Sequence, residues 1–200
     1  MKNYFYLIGL LLLFCSCCNN SSSNNRIINR SKRIYIQPLG HVSAEYIALV
    51  KKSVKSFYGY ECVVKPEKQI TKDVISKIKK RVDANKLLAK YNSSENTLII
   101  TEKDICYDNK EKKNPEYGIF GLSLRQGKIC VISTFRLKKD VTKQKTLERL
   151  EKIALHEIGH NLGLEHCTNN KKCMMNAANG TIKQVDREKV WFCERCTDLI

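Results

Sequence analysis

Acidic residues are in short supply: 20 aspartates and glutamates stand against 36 lysines and arginines, a formal net charge of +16. Such an imbalance can attract nucleic acid or an anionic membrane surface. The basic runs, however, are dispersed (Lys51-Lys52, Lys79-Lys80-Arg81, residues 110–113, Lys138-Lys139, Lys171-Lys172) and lack interleaved aromatics. No nucleic-acid fold motif accompanies them, so a solvated lysine surface is expected and no specific nucleic-acid partner. The apolar run from Tyr4 to Phe14 is too short to span a bilayer as a mature helix. Internal repeats are missing, which excludes solenoids and propellers. Histidine is rare as well, with four in the chain, and three of them share one short run.

That run is His156-Glu157-Ile158-Gly159-His160-Asn161-Leu162-Gly163-Leu164-Glu165-His166, the pattern H-E-x-x-H-x-x-G-x-x-H of elongated zinc-protease motifs. His156 and His160 are four apart, so a helix puts both on one face, where they can hold one metal ion. Glu157 sits beside them, placed to take a proton from water activated by zinc. Gly163 can adopt positive φ, so the helix can stop there and bring His166 round as a third ligand. H-E-x-x-H alone arises by chance in roughly one chain of this length in a hundred. The added glycine and histidine lower that by about a thousandfold. The fourth histidine, His41, follows Pro38-Leu39-Gly40 and reads as a loop or helix-start residue.

A second cluster follows at once. Cys167 adjoins His166, Cys173 comes six residues later, and Cys193 and Cys196 form a C-x-x-C pair. Two close cysteine pairs about twenty residues apart have the spacing of a four-thiolate structural zinc site. The alternatives are two local disulfides or a redox C-x-x-C, although a redox pair usually opens a helix after a strand. A zinc there would pin the chain where the third histidine must be held. Met174 and Met175 come next; methionine is ordinarily core filler, but after such a motif one of them suits the apolar base beneath the histidines, the Met-turn.

Residues His156 to Cys196 resemble the archaemetzincins, zinc peptidases whose pattern is H-E-x-x-H-x-x-G-x-x-H-C, a second cysteine, x-Met, seventeen residues and C-x-x-C. Cys173-Met174-Met175 matches the cysteine-x-Met step, so the resemblance gives Met175 the Met-turn role, and residues 176–192 supply the spacer. One departure is visible: the family has four residues after the first cysteine, and residues 168–172 make five here. Ile34 to Gly40 looks like the family's first strand and turn, Thr101 to Asp104 like the end of its third strand. Phe120-Gly121 and Ser133 to Leu137 look like the segments before its active-site helix, so the likeness runs from about Arg33 to Ile200.

The front end reads as an address. Lys2 precedes the apolar stretch, and Cys15, Ser16, Cys17 and Cys18 close it. Residues 1–16 are expected to be a secretory signal. Phe14-Cys15-Ser16-Cys17 is similar to a bacterial lipobox, with Cys17 as the lipidated first residue and Cys18 as the alternative. A cleaved signal without lipid is the plainer reading. Residues 17–32, rich in serine and asparagine, suit a tether. Removing residues 1–16 takes away only Lys2 and leaves +15. Cys62, Cys106 and Cys130 carry no spacing signature and read as small buried apolar residues. Exported thiols meet an oxidising compartment, which metal binding would relieve for the four clustered cysteines.

Residues 33–200 read as one domain. Strands are expected at 33–37, 61–65 and 97–101, helices at 44–58 and 72–91, and a charged loop at 103–115. Paired strands are expected at 117–125 and 128–133 about Gln126-Gly127, then the active-site helix at 147–162. The order implies an α/β fold with crossover helices. The resemblance makes it a metzincin-like single domain with a mixed, mostly parallel sheet. It also implies an antiparallel edge strand near 118–124 lining the substrate cleft, and a zinc-bound C-terminal segment.

The combined expectation is a bacterial lipoprotein exported to the periplasm or cell surface, with a cytoplasmic protein as the alternative: a monomeric zinc peptidase, either an endo- or an aminopeptidase, acting on peptides or proteins. It holds two zinc ions, one catalytic (His156, His160, His166) and one structural (Cys167, Cys173, Cys193, Cys196), with Glu157 as general base. No tyrosine follows Met175, so a tyrosine donor after the Met-turn is excluded. The rival readings are a non-catalytic zinc-stabilised binding protein of the same fold, and a basic surface binder with structural zinc; the intact Glu157 argues against both.

Overall fold

The computed structural model describes residues 33–92 and 94–200. The signal, the tether and Cys17 lie outside the described residues. Among the described residues no helix is long and apolar enough to cross a membrane.

Five strands form the main sheet, in the order β2-β1-β4-β8-β7. Strands β1 (Arg33–Leu39), β2 (Glu61–Val64), β4 (Thr97–Thr101) and β8 (Ile129–Ser133) run parallel. Strand β7 (Gly121–Ser123) pairs antiparallel with β8 and forms an edge. The fold is thus a mixed α/β domain with the antiparallel edge that the family resemblance implied. Every residue of β4 and β8 is buried, which suits strands covered on both faces and explains their unbroken apolar character. The two faces separate by alternation. Ile34, Ile36, Leu98, Ile100, Cys130 and Ile132 pack with Val50, Val54, Leu150 and Ile153 of helices α1 (Ala44–Tyr58) and α3 (Lys143–Asn161). Leu39, Ile99, Ile129 and Val131 pack with Leu87 and Leu88 of helix α2 (Ala84–Lys90) on the opposite face.

Two expectations fail. Residues 72–91 are not one helix. A single turn of 3-10 helix covers Lys72–Val74, and α2 starts only at Ala84. Between them the backbone reverses: Ile75 bridges to Val82, Lys80 has φ +55°, and Ile78 is 70% exposed. Val74, Ile75, Ile78 and Val82 mimic helical spacing, but β-branched residues favour extended backbone. The Glu116 carboxylate also takes the amides of Ile78 and Lys79, at 2.7 and 2.6 Å. Asp83 then starts α2 by accepting from the Lys86 amide.

Residues 103–115 are not a loop. Strands β3 (Val82–Asp83), β5 (Ile105–Asn109) and β6 (Asn114–Ile119) form a second, three-stranded sheet. The charged tip between β5 and β6 hides a hairpin that is itself partly apolar. The edge strand expected near 118–124 divides accordingly: Gly118 and Ile119 stay with β6, and the main sheet's edge begins at Gly121.

Helix α3 starts four residues earlier than expected, because the Thr142 hydroxyl caps it by accepting from the Lys145 amide. Its far end is tied to the edge hairpin. The His160 carbonyl accepts from the Gln126 amide at 3.0 Å, and the Asn161 side chain, assigned with its amide nitrogen toward the hairpin, donates to Ile129 O and Leu124 O at 3.1 and 3.2 Å. The short helices α4 (Ile182–Arg187) and α5 (Glu194–Thr197) follow. Arg149, buried on α3, grips Asp186 of α4 through two bonds of 2.8 Å and the Leu137 carbonyl at 2.9 Å.

Candidate active site and metal centres

Helix α3 carries His156, Glu157 and His160 within its last turns. It ends at Asn161, and Gly163, two residues on, has a φ of +109° that residues with a Cβ rarely adopt. The Gly163 amide still bonds back to His160 O, at 2.9 Å, and the Leu164 amide to Gly159 O, at 3.0 Å. The chain therefore folds back, and His166 arrives beside the other two rings. Ring centroids lie 4.6 Å (His156–His160), 4.8 Å (His160–His166) and 5.6 Å (His156–His166) apart. His41 is exposed and joins neither cluster.

Two of these rings have fixed tautomers. His156 Nδ1 lies 2.7 Å from Met174 O, and His160 Nδ1 lies 2.7 Å from Leu164 O. A carbonyl only accepts, so each Nδ1 carries the proton and donates it. Each Nε2 is then a bare lone pair. Yet the two Nε2 atoms face each other at 3.0 Å. Lone pairs so opposed repel, and a cation between them converts the repulsion into ligation. The donor set thus fits a metal ion, and three imidazoles suit zinc with a position left open. Burial, with neighbouring His160 adding to it, pushes His156 down to about 3. Burial also lowers His160 and His166, which keeps all three in the neutral, ligating form.

Glu157 is buried against the edge strand. A Cβ on Gly121 would lie 2.5 Å from Glu157 Oε1, so glycine there makes room for the carboxylate. Burial pushes this carboxyl up to about 8; a cation in the histidine site opposes that rise. Met175 lies under the helix: a Cβ on Gly159 would come 2.6 Å from its sulfur. Met175 O accepts from the Cys167 amide at 2.7 Å, and the Met174 amide donates to Trp191 O at 2.9 Å.

The four cysteines converge. Their sulfurs lie 3.5 Å (Cys167–Cys193), 3.7 Å (Cys193–Cys196) and 3.8 Å (Cys173–Cys196) apart. A tetrahedron of sulfurs with zinc–sulfur bonds of about 2.3 Å has edges of about 3.8 Å, whereas a disulfide needs about 2.05 Å. All four are buried free thiols, and their spacing fits zinc and is too long for a disulfide bond. Burial raises the Cys193 thiol, but the Cys196 amide and the Asn169 side chain outweigh it and bring the group down to about 7. The five residues 168–172 are exposed, so the extra one is taken up in the loop between ligands.

A cleft of about 630 Å³ runs past the histidines. One wall is the β5–β6 hairpin and the edge strand, the other residues 176–180. The Tyr117 hydroxyl joins the walls by donating to Asn179 O at 3.0 Å while accepting from Lys112 Nζ at 2.7 Å. Arg125 pairs with Glu165 beside the third histidine. Sequence reasoning missed Tyr117, the room Gly121 makes for Glu157, and the carbonyls of Met174 and Leu164. No motif marks a carbonyl, and the sequence puts residues 103–115, which hold β5 and the start of β6, in a loop.

Fold and site together define a zinc metallopeptidase, with the metal-binding helix flanked by an edge strand and a methionine turn. Comparison with known proteins names the group: the chain belongs to peptidase family M54, the archaemetzincins, whose family model matches residues 27–200. It is 32% identical over 168 residues to the archaemetzincin of Archaeoglobus fulgidus, covering 84% of this chain and 98% of that protein. Against the archaemetzincin of Methanocaldococcus jannaschii it is 33% identical over 174 residues, covering 82% and 90%. The crystal structure of the A. fulgidus protein complexed with malonate superposes with a TM-score of 0.74 at 31% identity, covering 84% of this chain and 99% of that one. That from Methanopyrus kandleri gives 0.68 at 26% identity, covering 86% and 96%.

Proposed function

We propose that this metallopeptidase cleaves peptide bonds with zinc held by His156, His160 and His166 and with Glu157 as general base. A second zinc is held by Cys167, Cys173, Cys193 and Cys196. The observation that carries the reading is the pair of bare ring nitrogens facing each other at 3.0 Å, each ring locked by a carbonyl on its far side. Bound there, zinc supplies Lewis acidity, polarising the scissile carbonyl and acidifying a water molecule. Glu157 accepts the proton of the attacking water and passes it to the leaving amine. Its burial and the close edge strand hold the carboxylate in place, and the Met174 and Leu164 carbonyls keep His156 and His160 in the ligating tautomer. Gly163 sets the turn that delivers His166, and Met175 supports the helix from below.

The test is a peptide-library digest with metal analysis of the same preparation. We expect two zinc ions per chain and cleavage that a chelator abolishes and added zinc restores. One zinc per chain, with Cys167 and Cys196 in disulfides, rules out the structural site.

The leader adds a proposal of its own: the mature chain starts at Cys17, carries acyl chains and is exported on a membrane. Two or more acyl chains anchor a protein stably, and the basic domain adds attraction to anionic lipid that fades with salt. Intact-mass analysis of the membrane fraction is expected to show the acylated Cys17. An unmodified Met1 in a cytoplasmic protein rules this out.

A further inference from the structure

Glu188 is a buried carboxylate with too few partners. It is only 5% exposed, and it lines the cleft together with Ile153, Val185 and the histidines. Its one side-chain bond comes from the neutral Gln184 amide, Nε2 to Oε1 at 3.1 Å. Among the described residues it forms no ion pair. Lys152, on the facing helix α3, gives its ammonium to Val185 O at 3.0 Å. Arg149 and Lys145 are taken by Asp186, and Lys145 also by Glu148. A buried carboxylate that no cation touches, with only the charge of Lys152 acting on it from a distance, is costly, and such a group in a cleft is a candidate for function. Burial pushes Glu188 up to about 7, with the Gln184 hydrogen bond and the charge of Lys152 only partly opposing it; a cation in direct contact would reverse the rise.

The place of this carboxylate says what the partner is. Ile153 stands three residues before His156 and four before Glu157, so one helical turn, about 5.4 Å, separates the apolar wall of this pocket from the reacting centre. A substrate residue beside the scissile bond reaches that far with a side chain of four carbons and a terminal cation. Ile153 and Val185 would pack along the carbon stem, and Glu188 would meet the charge with a charge-assisted hydrogen bond.

We propose that the part of the cleft lined by Ile153, Val185 and Glu188 is a pocket for the side chain of a lysine or arginine flanking the scissile bond, with Glu188 as its counter-ion and the residue that sets this specificity. The proposal rests on the peptidase reading. Its test therefore has one arm that needs no catalysis.

In the first arm, zinc-loaded full-length protein is given paired peptides in which lysine is exchanged for norleucine at each position on either side of the bond. A tenfold or larger preference in kcat/KM for lysine is expected at one flanking position. Glu188→Gln, which keeps the shape and the Gln184 contact, should remove that preference and leave norleucine peptides cleaved within twofold of the parent rate. In the second arm, n-butylammonium is titrated into the same proteins and followed by saturation-transfer NMR. Contact is expected with the parent and not with Glu188→Gln. Equal cleavage of lysine and norleucine peptides at every position by the parent overturns the proposal, whether or not the variant folds. So does the absence of n-butylammonium contact. If no peptide is cut but n-butylammonium binds in a Glu188-dependent way, the peptidase reading fails and the cation pocket stands.

Discussion

Glu157→Gln is expected to keep both zinc ions and to lose a hundredfold or more of peptide-cleaving activity. A lost general base costs about a hundredfold to ten-thousandfold, and a hundredfold is about 2.7 kcal/mol of barrier. The variant separates base from ligand because Glu157 points toward Gly121 while the imidazoles meet one another. An amide fills the same volume, so the edge strand need not move. His160→Ala gives the complementary pattern. One of the two facing nitrogens disappears, the histidine-bound zinc is lost, and the cysteine-bound zinc stays. Metal content and single-turnover cleavage on the same samples decide the matter. If Glu157→Gln cuts peptides at the parent rate, the proposed base is wrong.

Cys173→Ser is expected to be the most destabilising single change in the C-terminal segment. The four sulfurs bury together with Met174, Met175 and Phe192, and losing a structural metal belongs to the changes that cost about 4 kcal/mol or more. For a domain of this size that lowers Tm by roughly 10 °C. The effect reaches the other ion. Cys167 is bonded to His166 in the chain, and its amide holds the Met175 carbonyl at 2.7 Å. Loosening it frees His166, and disturbing such support lowers metal affinity by about ten- to a hundredfold. Thermal melts and competition with a chelator of known affinity measure both. A Cys173→Ser protein that melts with the parent and keeps two zinc ions would refute the coupling.

The parts of the molecule that were legible in the sequence are those where local chemistry decides. H-E-x-x-H needs only a helix to bring its ligands together, and Gly163 announces the turn because few other residues accept that backbone. Strands β4 and β8 were legible because they are apolar throughout. The segment 72–91 misled because its aliphatic spacing suits a helix, while Glu116, some 38 residues further on, captures the amides that a helix would have needed. No local pattern reveals a partner so remote. The β5–β6 hairpin was hidden by its charged tip: Tyr117 falls in an expected strand, but no local pattern pairs that strand with β5. Glu188 was invisible for the opposite reason: a glutamate near a helix end is ordinary until burial removes its water.

The single peptide bond between His166 and Cys167 limits what can be transplanted. The eleven residues from His156 to His166 look like a portable cassette, ready for grafting onto any helix that ends in a glycine turn. Here the last of them is held by a cysteine cluster whose farthest member is thirty residues away, and the first is oriented by the Met174 carbonyl. A designer who borrows the motif must therefore take everything up to Cys196, or build another anchor for the third histidine.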